Sequence, residues 1–349
     1  MFSRDDFSDV QARWDDFWAC RNKRPLYGIT IPKNGVECAP YPPYLMGFDG
    51  DYQAVADMLA RWAESCEFYG EAVPSYSLTF GADTFAALCG ADLVMGRSGD
   101  TTWAAHPLRT LRGAEIAFDP NGKWWSRLAE FHGVLERTLG DALLLTAPSL
   151  GAGLDGLVGL YGAEKLLLDM MDDPEAVLGA MEQINEAYTQ ALNACNELFE
   201  VGKYGSATRH GMLSGGVAGV PQCDVSCMLS PAMFERFAMP CIRHEIELLD
   251  AAEYHLDGPG ALRHLEALAG IPKLRAVQWV AGAGEAKTQD WTHIYKKVIS
   301  LGKGLIRWGS AEAVAKMQSE LRSKDIYFHV DGIKTRMEAQ AFLGGMGAL

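Results

Sequence analysis

Long apolar runs are missing from this sequence. The best candidate for a membrane span, residues 142–162, is broken by Pro148, Asp155 and several glycines. A transmembrane helix needs about 20 mostly apolar residues, so none is expected. Basic clusters are missing as well. The formal net charge is −14, and a phosphate backbone is gripped by grouped Lys and Arg, so no nucleic-acid partner is expected. The opening residues Met1-Phe2-Ser3-Arg4-Asp5-Asp6 hold no apolar core of the signal-peptide kind, which makes a cytoplasmic protein the expectation. No Pro/Ser-rich linker or low-complexity segment interrupts the chain, so residues 1–349 are expected to form a single domain. Paired cysteine motifs are scarce. Eight cysteines are scattered without a secretory context and read as free thiols, most of them small core residues. Nucleotide loops are not expected either. The glycines at 211–219 are followed by no Gly-Lys-Ser/Thr, and Gly151, Gly153 and Gly156 read as wrongly spaced for a dinucleotide fingerprint and without a clear helix start.

What is present is a soluble composition, 48% hydrophobic and 22% charged over 349 residues. The second half is periodic. Short apolar runs at 252–257, 276–280, 305–308 and 326–330 read as buried strands. Helix-like segments at 261–269, 291–301, 311–322 and 336–343 lie between and after them. Weaker strands fall at 27–31, 143–147 and 212–213. Asp173-Pro174 and Ser230-Pro231 are helix starts, Asp290 and Ser310 are candidate N-caps, and Thr335 with Glu338 has capping-box spacing. Two helical stripes follow the proline starts: Val177, Met181, Ile184, Tyr188, Leu192 and Cys195, then Phe234, Phe237, Cys241, Ile242, Ile246 and Leu249. About eight strands alternating with helices favour a (β/α)8 TIM-type barrel with an N-terminal extension over an open doubly wound sheet.

One pattern occurs twice: Tyr254-His255-Leu256-Asp257-Gly258 and Phe328-His329-Val330-Asp331-Gly332. Alternate strand residues share a face, so each His projects with its Asp. An imidazole beside a carboxylate suits metal binding or proton transfer. A strand-end Asp before Gly also serves as a plain turn-former. In a barrel, chemistry sits at the C-terminal strand ends. That rule selects His255, Asp257, Gln278, Trp279, Trp308, His329 and Asp331, with Ser149 and Ser214 from the weaker strands. Cys223-x-x-x-Cys227 has a zinc-like spacing but lacks a second pair. His106, His132, His210, His244, His264 and His293 have no partner at a metal spacing.

Several words of the chain resemble the uroporphyrinogen decarboxylase superfamily. Between Cys223 and Gly284 these are Asp224-x5-Ser230-Pro231-x2-Phe234-x2-Phe237-x2-Pro240, then Tyr254-His255-Leu256-Asp257-Gly258-Pro259-Gly260, then Gln278-Trp279. Upstream, Leu168-Asp169-x2-Asp172-Asp173-Pro174-Glu175 and the stretch from Phe80-Gly81 to Leu88-Cys89-Gly90-Ala91 match the same group. The resemblance implies the barrel and one of two activities. One is cofactor-free decarboxylation of a tetrapyrrole or another carboxylic acid. The other is methyl transfer between a small O-, N- or S-methyl compound and a corrinoid (cobalamin) carried by a partner protein, often with zinc. The decarboxylases' Arg-Gln-Ala-Gly-Arg signature has no match here, which favours methyl transfer and leaves decarboxylation as the alternative. Thiol-methylating relatives read His-x-Cys-Gly where this chain reads His255-Leu256-Asp257-Gly258. A carboxylate in place of a thiolate makes a harder site, suited to polarising an oxygen or nitrogen, and leaves a metal-free site open. The resemblance thus implies His255 and Asp257 as metal ligands and Asp224 and Asp257 as catalytic groups; His329 and Asp331 are added as catalytic groups by their strand-end position alone. Gln278, Trp279 and Trp308 are expected to bind substrate. A corrinoid-carrying role for this chain itself is disfavoured, because the Asp-x-His-x-x-Gly pattern is absent.

Overall fold

The structure, a computed structural model, describes residues 4–33, 37–99, 101–282 and 289–349. Met1, Phe2 and Ser3 of the opening run, and Gly284 at the end of the resembling stretch, lie outside the described residues.

The strands in chain order are β1 (Leu26–Pro32), β2 (Cys66–Gly70), β3 (Ser75–Ser77), β4 (Leu93–Met95), β5 (Thr102–Ala104), β6 (Leu144–Thr146) and β7 (Ser206–Ala207). Then come β8 (Leu213–Ser214), β9 (Ala218–Gly219), β10 (Ala251–Asp257), β11 (Leu274–Val280), β12 (Gly304–Ser310) and β13 (Ile326–Asp331). One seven-stranded sheet runs β2-β1-β13-β12-β11-β10-β9. Its ladders are parallel except β1–β2. β3 and β6 form a separate parallel pair, and β4–β5 and β7–β8 are antiparallel pairs. The molecule is mixed α/β with a mostly parallel central sheet. Among the described residues no ladder closes that sheet on itself.

The helix starts follow local chemistry. Asp173, Ser230 and Ser310 accept hydrogen bonds from Ala176 N, Met233 N and Ala313 N, and Thr335 with Glu338 completes a capping box. Asp290 instead sits one residue ahead of the cap, Trp291, and accepts from Thr292 N. Both stripes are buried. The second bends through a π-turn at Phe234–Ala238. Pro240 has no N–H to offer the preceding turn, and the wider turn absorbs that loss.

Three expectations change. The 212–213 strand is the antiparallel β8 rather than a member of the parallel series. The 261–269 helix divides into a 3-10 segment, Pro259–His264, and a short helix, Leu265–Ala269. Gly258 at φ +79° followed by Pro259 starts a tight turn, and His264 is buried, stacked 4.0 Å from Phe234. Finally, a helix does start at the glycines. Gly151-Ala152-Gly153-Leu154-Asp155-Gly156 has dinucleotide-fingerprint spacing, follows β6 and opens the helix Gly153–Tyr161. It is no phosphate cradle. Asp155 occupies the first turn, and a Cβ at Gly153 would lie 3.2 Å from Glu245 Oε1. Two carboxyls would face any phosphate there.

Side-chain alternation sorts the strands into two faces. Tyr27, Val277, Leu305, Ile326 and Phe328 join the large cluster shared with the helices. Their neighbours Leu26, Leu144, Ala207, Leu213, Ala276, Ile306 and Tyr327 meet in a second cluster with Val10, Trp14 and Phe17 of the helix Phe7–Trp18. The N-terminal extension therefore plugs the inner face at one end. Buried Glu71 pins it, accepting from Arg13 Nε at 2.7 Å, Arg24 Nη2 at 2.9 Å and Tyr27 N at 2.8 Å. Inner-face residues further along the strands are polar, and they form the site.

Candidate active site at the C-terminal strand ends

β10 supplies the axis of the site. Tyr254 and Leu256 are buried in the outer cluster, so Glu253, His255 and Asp257 share the inner face. Residues 221–228 are laid along the strand end. His255 N donates to Pro221 O at 3.0 Å, and Gln222 bridges to His255. Asp155 accepts from the backbone N–H groups of Asp224 and Val225 at 2.7 and 3.2 Å, which fixes the 3-10 segment Asp224–Met228. This brings three donors together. Ligand atoms of Asp224, His255 and Asp257 all lie within 4.8 Å of one another.

The imidazole is prepared for a cation. His255 Nδ1 donates to Gln278 Oε1 at 2.5 Å, and Nε2 lies 3.9 Å from Asp224 Oδ1. Burial, with Arg209 nearby, pushes its pKa down to about 4. It is therefore neutral at pH 7, with the Nε2 lone pair facing the carboxylates. Partial burial, then the charges of Asp155 and Asp257, push the Asp224 carboxyl up to about 7. Burial also raises Asp257 and Asp155. Asp257 Oδ1 is buried and has no hydrogen-bond partner. Clustered carboxyls with an orphaned oxygen and a free imidazole lone pair are what a cation would satisfy.

A second polar group lies beside the first. Glu253 is fully buried, and its Oε1 accepts from His210 Nδ1 at 2.8 Å. Burial opposes its ionisation, but His210 and Arg209 outweigh that and hold it below its ordinary range. His329 Nε2 donates to His210 O at 2.7 Å, and its ring stacks on Trp308 with centroids 5.2 Å apart. Burial pushes His329 down to about 4. Arg209 Nη1 donates to Gln222 Oε1 at 3.0 Å, and Gln222 Nε2 donates to Asp224 Oδ2 at 3.4 Å.

The structure thus brings Asp224, His255, Asp257 and Gln278 together, with His329 and Trp308 at the adjoining group. It does not bring in the other two expected residues. Asp331 is exposed at the end of β13 and stands outside the three-donor group. Trp279 lies on the outer face of β11, buried against Trp291 at 5.2 Å, so it cannot touch a ligand on the inner face. Cys223 is buried, Cys227 is exposed, and neither belongs to the donor group. The sequence does not single out Glu253, Arg209, Gln222 or Asp155, and His210 reads there as a histidine with no partner at a metal spacing. The one available signal was Glu253, a lone carboxylate inside the apolar run that leads to His255.

A cavity of about 400 Å³ opens next to this group, walled by Tyr41, Tyr44, Tyr76, Arg209, His210 and Gln222. A larger one, about 580 Å³, lies beside β2 around Lys33, Cys66 and Glu67 and holds none of the groups above.

No family model matches the chain, and no curated protein does. Among solved structures, a methyltransferase from Methanosarcina mazei is similar, with a TM-score of 0.62 and 12% sequence identity. The match covers 97% of this chain and 98% of that one. At that identity the likeness establishes a shared fold along the whole length and nothing about chemistry.

Proposed function

We propose that the protein is a methyltransferase of the corrinoid-linked kind, a single cytoplasmic domain whose sheet and β3–β6 pair belong to one (β/α)8 barrel. It would move a methyl group between a small O-, N- or S-methyl compound and a corrinoid on a partner protein. The observation that carries this reading is the Asp224–His255–Asp257 group with its free Nε2 lone pair and orphaned Oδ1. The similar structure that shares the fold along the full length is named a methyltransferase, and no described helix is long and apolar enough to cross a membrane.

His255 Nε2 and the two carboxylates would hold a divalent ion such as zinc, leaving room for substrate. A bound ion there supplies Lewis acidity toward the heteroatom that carries the methyl group. The chain's own residues do the rest. Gln278 fixes the His255 tautomer, Asp155 anchors the segment that presents Asp224, and Gln222 orients the Asp224 carboxyl. The heteroatom keeps the bonding pair when the methyl group leaves, and this polar end faces the charge that develops. Trp308 and the stacked His329 wall the adjoining side.

One observation favours a second reading. Asp224, held up to about 7, carries a proton near neutrality and could protonate a carbon that has lost carbon dioxide. That is the metal-free decarboxylase. The two separate on a direct assay with the full chain, cob(I)alamin and a panel of methoxy, methylamine and methylthio compounds. Methylcobalamin formation that is lost in His255→Ala is the expected result. Release of carbon dioxide from an acid panel without methyl transfer would replace the first reading by the second.

A further inference from the structure

We infer that the cavity beside the three-donor group seats its ligand by a carboxylate, with Arg209 as the anchor and Tyr41, Tyr44 and Tyr76 against an apolar body. The substrate class is then a methylated organic carboxylate. The word "methylated" rests on the methyl-transfer reading above; the carboxylate does not.

Charge makes the first argument. The chain carries a net −14, yet among the described residues no Asp or Glu lines this cavity and Arg209 is its one permanent charge. Among the described residues no carboxylate lies within salt-bridge distance of Arg209: His210 is hydrogen-bonded to Glu253, and the neutral His255 stands 3.9 Å from Asp224. It donates to neutral acceptors: Gln222 Oε1 at 3.0 Å and His210 Nε2 at 3.4 Å. A half-buried guanidinium held by neutral groups keeps donors for an incoming anion, and its planar fork matches a carboxylate.

Shape makes the second. Tyr41 and Tyr44 are 45% and 58% exposed, among the most exposed large apolar side chains. The Tyr41 hydroxyl donates to Ser75 O at 3.1 Å, and its ring meets Tyr76 at 5.9 Å. An aromatic wall that shares its cavity with a single cation suits an amphiphilic ligand.

Position makes the third. Gln222 accepts from Arg209 and donates to Asp224. A carboxylate on Arg209 is therefore separated from the three donors by roughly the span of one amide and its two hydrogen bonds. Gln222, which lines the cavity, is the group that stands between that carboxylate and Asp224. Pairing with Arg209 stabilises the anion, which makes the carboxylate a handle and not a leaving group.

The test is titration calorimetry on the full chain with matched acids and amides: 4-methoxybenzoate, methoxyacetate and 3-(methylthio)propanoate against their carboxamides. At least one acid is expected to bind at least tenfold tighter than its amide. Arg209→Gln is expected to weaken acid binding about 10- to 100-fold with an unchanged circular dichroism spectrum. Arg209→Lys keeps a charge at the site, so it should retain the preference for acid over amide at reduced affinity, which covers the case in which the Gln variant does not fold. Acids that bind no better than amides, or an Arg209→Gln protein that binds acids as wild type does, would overturn the anchor. Methyl transfer from uncharged donors, indifferent to Arg209→Gln, sinks the anchor and leaves the methyl-transfer reading standing. Arg209-dependent acid binding with no methyl transferred does the reverse.

Discussion

His255 illustrates how much a single hydrogen bond decides. Its Nδ1–H is committed to Gln278, so the other nitrogen must present its lone pair to Asp224 and Asp257. Partners of metal-binding imidazoles typically contribute 10–100-fold to affinity. Gln278→Ala should therefore weaken zinc binding by about that factor in a competition titration with a chelator, with the fold retained; unchanged affinity would show that this hydrogen bond does not prepare His255 for a metal. Glu245 makes a different point. It is buried with both oxygens unpartnered, facing Asp155, Tyr188, Cys241, Cys223 and Tyr254. Burial, reinforced by Asp155, holds its carboxyl well above the ordinary 4.5. The folded state then keeps a proton that the unfolded chain releases above 4.5, so stability falls as pH rises from there toward the folded value. Urea midpoints measured across pH should show that decline in the wild type and a flatter profile in Glu245→Gln. Residue-level legibility follows sequence distance. His255 and Asp257 were visible because a strand repeats every two residues. His210 was not, because its partner Glu253 lies 43 positions away.

Elements hold these residues through caps and close packing. The helix Gly153–Tyr161 carries Asp155, and it can approach the helix Thr84–Leu88 only through glycine. A Cβ at Gly159 would lie 2.7 Å from Ala86 Cβ, which has no flexible end to swing aside. Gly159→Ala should lower the unfolding free energy by about 1–3 kcal/mol, read from denaturant titration; an unshifted midpoint would mean the two helices are not in contact. Thr335→Ala removes a hydroxyl that caps the last helix and should cost about 1 kcal/mol by the same measurement. Caps and buried stripes were legible because they depend on neighbours within one turn. The 3-10 segment Pro259–His264 was not, since burial of His264 under Phe234 comes from distant chain, and the antiparallel β8 was not, since strands of two residues are too short for alternation to mark. The helix glycines escape the sequence for the same reason as that 3-10 segment: Gly156 admits Phe85 and Gly159 admits Ala86, both from another helix.

At the scale of the molecule, the plug and the site occupy opposite ends of the inner face. Trp14 is fully buried in the plug, 4.6 Å from Tyr327, and donates to Glu71 O. Trp14→Ala should destabilise the whole protein by about 3–5 kcal/mol. The alternation of parallel strands with helices was legible in the sequence, whereas the ladders also include short pieces that no periodicity marks, such as β7 and β9. The central claim is that this scaffold exists to hold a cation at Asp224, His255 and Asp257. Elemental analysis of the purified full-length protein after zinc loading and gel filtration tests it most directly. Stoichiometric zinc in the wild type, lost in His255→Ala while the fold persists, is the expected result. Metal absent from the wild type, or retained undiminished by His255→Ala, would contradict it.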